Sequence, residues 1–110
     1  EPSESPAPEV VEPVLEAFLD GGGRRHYVRY VKPEYPEIYR RTGHEGKVLL
    51  EVIVGRDGQV EHYRVLRSDG ELFTAAAIEA IKKFRYRPET FRGQPVRFVV
   101  VEPFIFKLPK

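Results

Sequence analysis

The alternation of apolar residues between Lys47 and Val54 constrains this chain more than any other stretch. Val48, Leu50, Val52 and Val54 fall on every second residue, so an extended backbone puts all four on one face. Gly55-Arg56-Asp57-Gly58 follows. Its Asp-Gly half is a strong hairpin signal, because glycine takes positive φ at no steric cost. The return strand begins at Gln59. Val60 lies on one parity, whereas Tyr63 and Val65 lie on the other. If all three face the core, the strand must hold an extra residue, which predicts a bulge near Glu61-His62. A lone hairpin is marginal in water, so its apolar face requires a second layer.

The residues that follow can supply that layer. Ser68-Asp69-Gly70-Glu71 reads as a capping box. Phe73, Ala77, Ala80, Ile81 and Phe84 then share one helical face. Lys82, Lys83 and Arg85 gather at the C-terminal end, where the helix dipole favours cations. Pro88 closes the segment. Gly93-Gln94 turns the chain into a last apolar run, Pro95 to Leu108. There Val96, Phe98, Val100, Phe104 and Phe106 share one parity, and Val99, Val101 and Ile105 share the other. A strand apolar on both faces is expected to be covered on both. Pro103 has no N–H to give, so its place is an edge or a bulge.

Upstream, Glu1 to Glu9 alternates proline with glutamate and serine, a composition of semi-rigid linkers. Val11, Val14, Leu15, Phe18 and Leu19 follow helical spacing and predict a short helix over Val10 to Asp20, stopped by Gly21-Gly22-Gly23. Tyr27 to Val31 reads as a short strand. Lys32 to Pro36 must be extended, because each proline restricts the residue before it. Pro36 to Thr42 reads as a helix, with Gly43 at its end. The organisation predicted is a linker end at 1–9, a linker helix and short strand at 10–31, and a domain at 32–110. Its fold class is α+β: a three-stranded antiparallel-type sheet, one long helix packed on one face, and a short N-terminal helix. The segment 10–20 is expected to shield the sheet's second face.

A chain of 110 residues supports one small domain. There is no cysteine, hence no disulfide and no thiolate chemistry, and no apolar run long enough for a membrane helix. The net charge of +1 conceals a division. Residues 1–20 carry six acids and no Lys or Arg, and the other 90 carry 18 basic against 11 acidic residues. A basic body of net +7 with an acidic tail admits two readings, an acidic partner or tail and body attracting each other.

The residue pattern argues against catalysis. His26, His44 and His62 are scattered without metal-ligand spacing. Ser68 is explained by capping, and no phosphate-binding loop is present. Glu102 alone among the carboxylates sits in an apolar setting. Lys82 to Arg87 interleaves cations with aromatics, as single-strand nucleic-acid binders do, but Phe84 belongs to the core face. Neither a cofactor, a metal nor a nucleic acid is expected.

Six pieces occur in order and resemble the C-terminal domain of TonB-family energy transducers. They are Tyr35-Pro36, Glu45 to Val48, Asp57 to Val60, Phe73 to Ala77 with Ala80, Phe84 to Pro88, and Gly93 to Val96 with Pro103 and Phe106. Tyr39 departs from the small residue usual in the family, and Phe84 stands where some members carry tryptophan. The resemblance implies a periplasmic domain of a Gram-negative envelope protein with an inner-membrane anchor and a proline-rich linker. Its partners would be a proton-driven inner-membrane motor and the TonB box of outer-membrane transporters; homodimerisation stays open. Strand addition to an edge formed by Val96, Arg97, Phe98, Val99, Val100 and Val101 is expected, with Lys32, Tyr35 and Pro36 also at the partner-binding site. Envelope bridging or sensing, and polyanion binding by the basic body, are the alternatives.

Overall fold

The computed structural model describes residues 11–109. The expected linker end at 1–9 lies outside them. The alternating stretch forms β3 (Gly46–Val54), and its return is β4 (Val60–Ser68). Gly58 takes φ +87° in the turn between them. The register jumps from Ile53 opposite His62 to Val54 opposite Val60, leaving Glu61 as the extra residue. The expected bulge is therefore present. A second irregularity leaves Leu66 unopposed, between Leu49–Arg67 and Leu50–Val65.

Helix α2 (Glu71–Ile81) packs on the face carrying Val48, Leu50, Val52 and Val54, all wholly buried. Phe73, Ala77 and Ile81 meet them, as does Phe84 just past the helix. Each such apolar side chain contributes about 1.5–3 kcal/mol by burial. The helix start differs from the capping box. Gly70 occupies the N-cap, while Ser68 accepts the Gly70 N–H and bonds Thr74. Tyr39 instead receives the Leu72 N–H on its hydroxyl, and its ring lies 4.6 Å from that of Phe73. The bulky Tyr39 thus fills the space over Gly70, where any added Cβ would press on its hydroxyl. It sits on α1 (Glu37–Thr42), which Pro36 precedes and left-handed Gly43 ends.

The sheet has four strands, not three. Its order is β1 (Val14–Leu15), β8 (Phe98–Phe106), β3, β4. Two small ribbons accompany it: β2 (Tyr27–Arg29) with β5 (Arg85–Tyr86), and β6 (Glu89–Phe91) with β7 (Gln94–Val96). The helix expected over Val10 to Asp20 is a correction. Those of its residues that are described form β1 and a 3₁₀ turn at Glu16–Phe18. The apolar spacing served another end: Val14 and Leu19 turn into the helix-side core, and the backbone of Val14 and Leu15 pairs with β8. Among the described residues, part of the second sheet face stays exposed. Val101 and Ile105 on it are 41% and 69% exposed.

Candidate functional site

β8 runs antiparallel to β3 along its whole length, from Gly46 opposite Phe106 to Val54 opposite Phe98. Its other edge carries the candidate site. The Arg97 carbonyl accepts the Val14 N–H at 2.9 Å, and the Val101 carbonyl accepts Arg25 Nη1 at 3.2 Å. Backbone groups alternate sides along a strand, so Arg97, Val99, Val101, Pro103 and Ile105 present theirs outward. Pro103 loses no ladder bond there, which accounts for a proline in a long strand.

The expected binding edge, Val96 to Val101, divides on this geometry. Val96 belongs to β7. Val96, Phe98 and Val100 turn their side chains into the core and are nearly inaccessible. Val14 and Leu15 already lie beside Phe98 and Val99 in parallel register. Arg97 is engaged by Glu61 at 2.8 Å. Further on, at Pro103 and Ile105, no strand among the described residues pairs with this edge. Sequence reasoning missed this stretch because nothing local shows that residues some 80 positions earlier cover the first half.

A groove of about 850 Å³ borders this free end, between it and the extended segment Tyr30 to Tyr35. Its walls include Tyr30, Lys32, Tyr35, Arg40, Phe104 and Phe106. The structure thus brings Lys32 and Tyr35, both expected at the site, to the open edge. Pro36 lines a neighbouring groove against α2. Tyr35 is fixed by its hydroxyl on the His44 carbonyl and by edge contacts with Phe73 and Phe106, each at 5.7 Å. Partial desolvation raises its phenol above the ordinary value, and Glu45 adds to this. The Arg40 guanidinium lies 5.8 Å from the Tyr35 ring centre. The groove is apolar on its floor and cationic at its rim, which suits an extended peptide with an acidic residue.

The covered half of the edge is held by a polar knot around Glu102. This carboxylate, apolar in sequence context, is polar in space. It accepts from Tyr86 at 2.6 Å and from Tyr27 at 2.8 Å, and forms an ion pair with Arg25 at 3.1 Å. Arg25 also grips Glu16 with two bonds of 2.6 and 2.7 Å. Burial pushes the Tyr27 phenol up to about 12, and the Glu102 bond acts the same way. Burial likewise raises Tyr86, reinforced by Glu102. The bond to Glu16 stabilises charged Arg25. The other sheet edge, β4, is interrupted by its two bulges and carries Arg64 and Arg67, devices that discourage strand addition.

The sequence profile of the family described as Gram-negative bacterial TonB protein C-terminal matches residues 31–108. The chain belongs to the TonB C-terminal domain family. Protein TonB of Vibrio cholerae is 37% identical over 79 residues, which are 71% of this chain and 32% of that protein. This chain therefore spans about a third of that relative's length. The solution structure of the Pseudomonas aeruginosa TonB C-terminal domain superposes with a TM-score of 0.67 at 28% identity, covering 78% of this chain and 88% of the other. The Helicobacter pylori TonB C-terminal domain gives 0.53 at 27% identity, covering 72% and 84%. Strands β1 and β2 precede the residues that match the TonB profile.

Proposed function

We propose that this domain is the receptor-engaging end of a TonB-type energy transducer, working in the periplasm on a protein anchored in the inner membrane. It takes up the TonB box of an outer-membrane transporter as an added strand and passes on the pull of a proton-driven motor. The observation that carries this reading is the end of β8, unpaired on this side among the described residues, facing the groove of Tyr30, Lys32, Tyr35 and Arg40. An extended peptide there gains main-chain bonds from Ile105 and the Pro103 carbonyl, and side-chain selection from the tyrosine walls. Load along the peptide axis would shear those bonds together, and β3 backs β8 over nine residue pairs.

Calorimetric titration with a TonB-box peptide tests this. Ile105→Pro removes an outward N–H while leaving the β3 ladder intact. Binding should be lost in Ile105→Pro and kept in Arg64→Ala on β4. Normal binding by a folded Ile105→Pro domain would refute addition at this edge.

A further inference from the structure

The ribbon of β2 and β5 carries an arrangement that strand addition does not use. From Lys83 to Arg87 the chain alternates strictly. Phe84 and Tyr86 are buried, whereas Lys83, Arg85 and Arg87 are exposed. Across the ribbon Arg29 is directly opposite Arg85. Like charges at directly paired positions destabilise a sheet. None of these four cations has an ion-pair partner among the described residues, whereas Arg25, Arg40, Arg41, Arg56, Arg64 and Arg97 each have one. Neighbouring acids are already engaged. Glu79 holds Lys82, Glu89 faces His26, and Asp57 accepts the Gln59 N–H. The result is an exposed row of guanidinium groups, a geometry suited to carboxylates held by paired bonds.

The position of Glu12 and the charge of the residues before it supply the occupant. Glu12 is bound to Arg56 at 2.7 Å, at the β3–β4 turn. Two residues beyond Arg56, Gly58 packs on the Tyr86 carbonyl, and Gln59 bridges Arg85. Glu12 is therefore held at the end of the sheet that the ribbon borders. Residues 1–10 contain Glu1, Glu4 and Glu9 and no cation. Ten extended residues reach about 30 Å, ample to lie across the row. We propose that Arg29, Arg85 and Arg87, with Lys83, form a docking surface for this chain's own acidic segment Glu1 to Glu9. Docking offsets the Arg29–Arg85 repulsion and holds the end of the Pro/Glu-rich segment on the ribbon, leaving the Tyr35 groove free.

The absence of cysteine permits a clean test on residues 1–110. A nitroxide attached at Ser5→Cys should broaden the amide signals of Arg29, Arg85 and Arg87, and leave those of Arg64 and Arg67 on β4 sharp. The broadening should disappear when Glu1, Glu4 and Glu9 are all changed to Gln. It should also disappear in about 0.5 M salt, where the screening length falls to about 4 Å. Broadening spread evenly over the surface, or unchanged in the triple variant, overturns the proposal. So does an unbroadened ribbon whose signals shift only on adding anionic phospholipid vesicles or single-stranded DNA, since the face would then serve an external polyanion.

Discussion

Arg25 reaches past its own segment to donate to the carbonyl of Val101, 3.2 Å away on β8. One side chain thereby closes a backbone acceptor of the sheet edge and joins Glu16 to buried Glu102. Arg25→Met keeps much of the apolar stem but removes every donor. Hydrogen bonds to charged groups contribute about 1.5–3 kcal/mol each. The variant should lose about 2–3 kcal/mol, read as a lower urea midpoint at constant slope. A change within experimental error would mean that the tyrosines alone hold Glu102.

The Glu102 knot should make the domain sensitive to alkali. Both Tyr27 and Tyr86 have folded values above the ordinary 10.0. The native state then holds its phenolic protons longer than the unfolded chain does. Stability from this source is complete below about pH 10 and falls as pH rises toward the folded values. For Tyr27 that window ends at about 12. Tyr86→Phe should cost about 1–2 kcal/mol at neutral pH, yet show a shallower loss above pH 10. Urea titrations at neutral and alkaline pH compare the slopes; parallel losses would exclude Tyr86 as the source.

Gly58→Ala tests the packing of the hairpin turn on β5. The glycine has φ +87°, and an added Cβ would overlap the Tyr86 carbonyl oxygen. Backbone must move on one side, so a loss of at least about 2 kcal/mol is expected. Thermal unfolding measures it. Gly93→Ala, with positive φ but open space around it, should cost less.

Charge at the groove should govern association rate. Arg97 is paired with Glu61, whereas Lys32 stands at the open edge without an ion-pair partner among the described residues. Lys32→Glu should slow association of an acidic TonB-box peptide at low salt more than Arg97→Glu does. The difference should shrink near physiological salt, where screening acts over about 8 Å. Stopped-flow mixing at two ionic strengths separates the cases. An effect confined to dissociation, equal at both salts, would mark Lys32 as a direct contact instead.

Phe84→Ala should cost about 3–5 kcal/mol. The ring is buried and lies 4.8 Å from Tyr30 and 5.8 Å from Phe104, so its loss leaves a cavity that several elements share. A loss below about 1 kcal/mol would mean that these rings collapse into the space.

Elements with a local cause could be read along the chain. Period-two alternation set β3, and the parity break between Val60 and Tyr63 required the Glu61 bulge. Helical spacing from Phe73 to Ile81 set α2, and Gly43 and Gly58 marked positive φ. Phe84 was placed in the core by spacing, and the structure agrees. Which backbone edges are covered among the described residues depended on contacts distant in sequence. Val14 and Leu15 take a place on β8 through contacts more than 80 residues away in sequence, and no local pattern distinguishes that pairing from a short amphipathic helix. The same holds for Glu102, whose partners Arg25, Tyr27 and Tyr86 come from three separate segments. Hydrophobic periodicity is a property of neighbours along the chain. Edge coverage and polar satisfaction depend on what the fold brings alongside, and these two together place the groove at Tyr35 and Ile105.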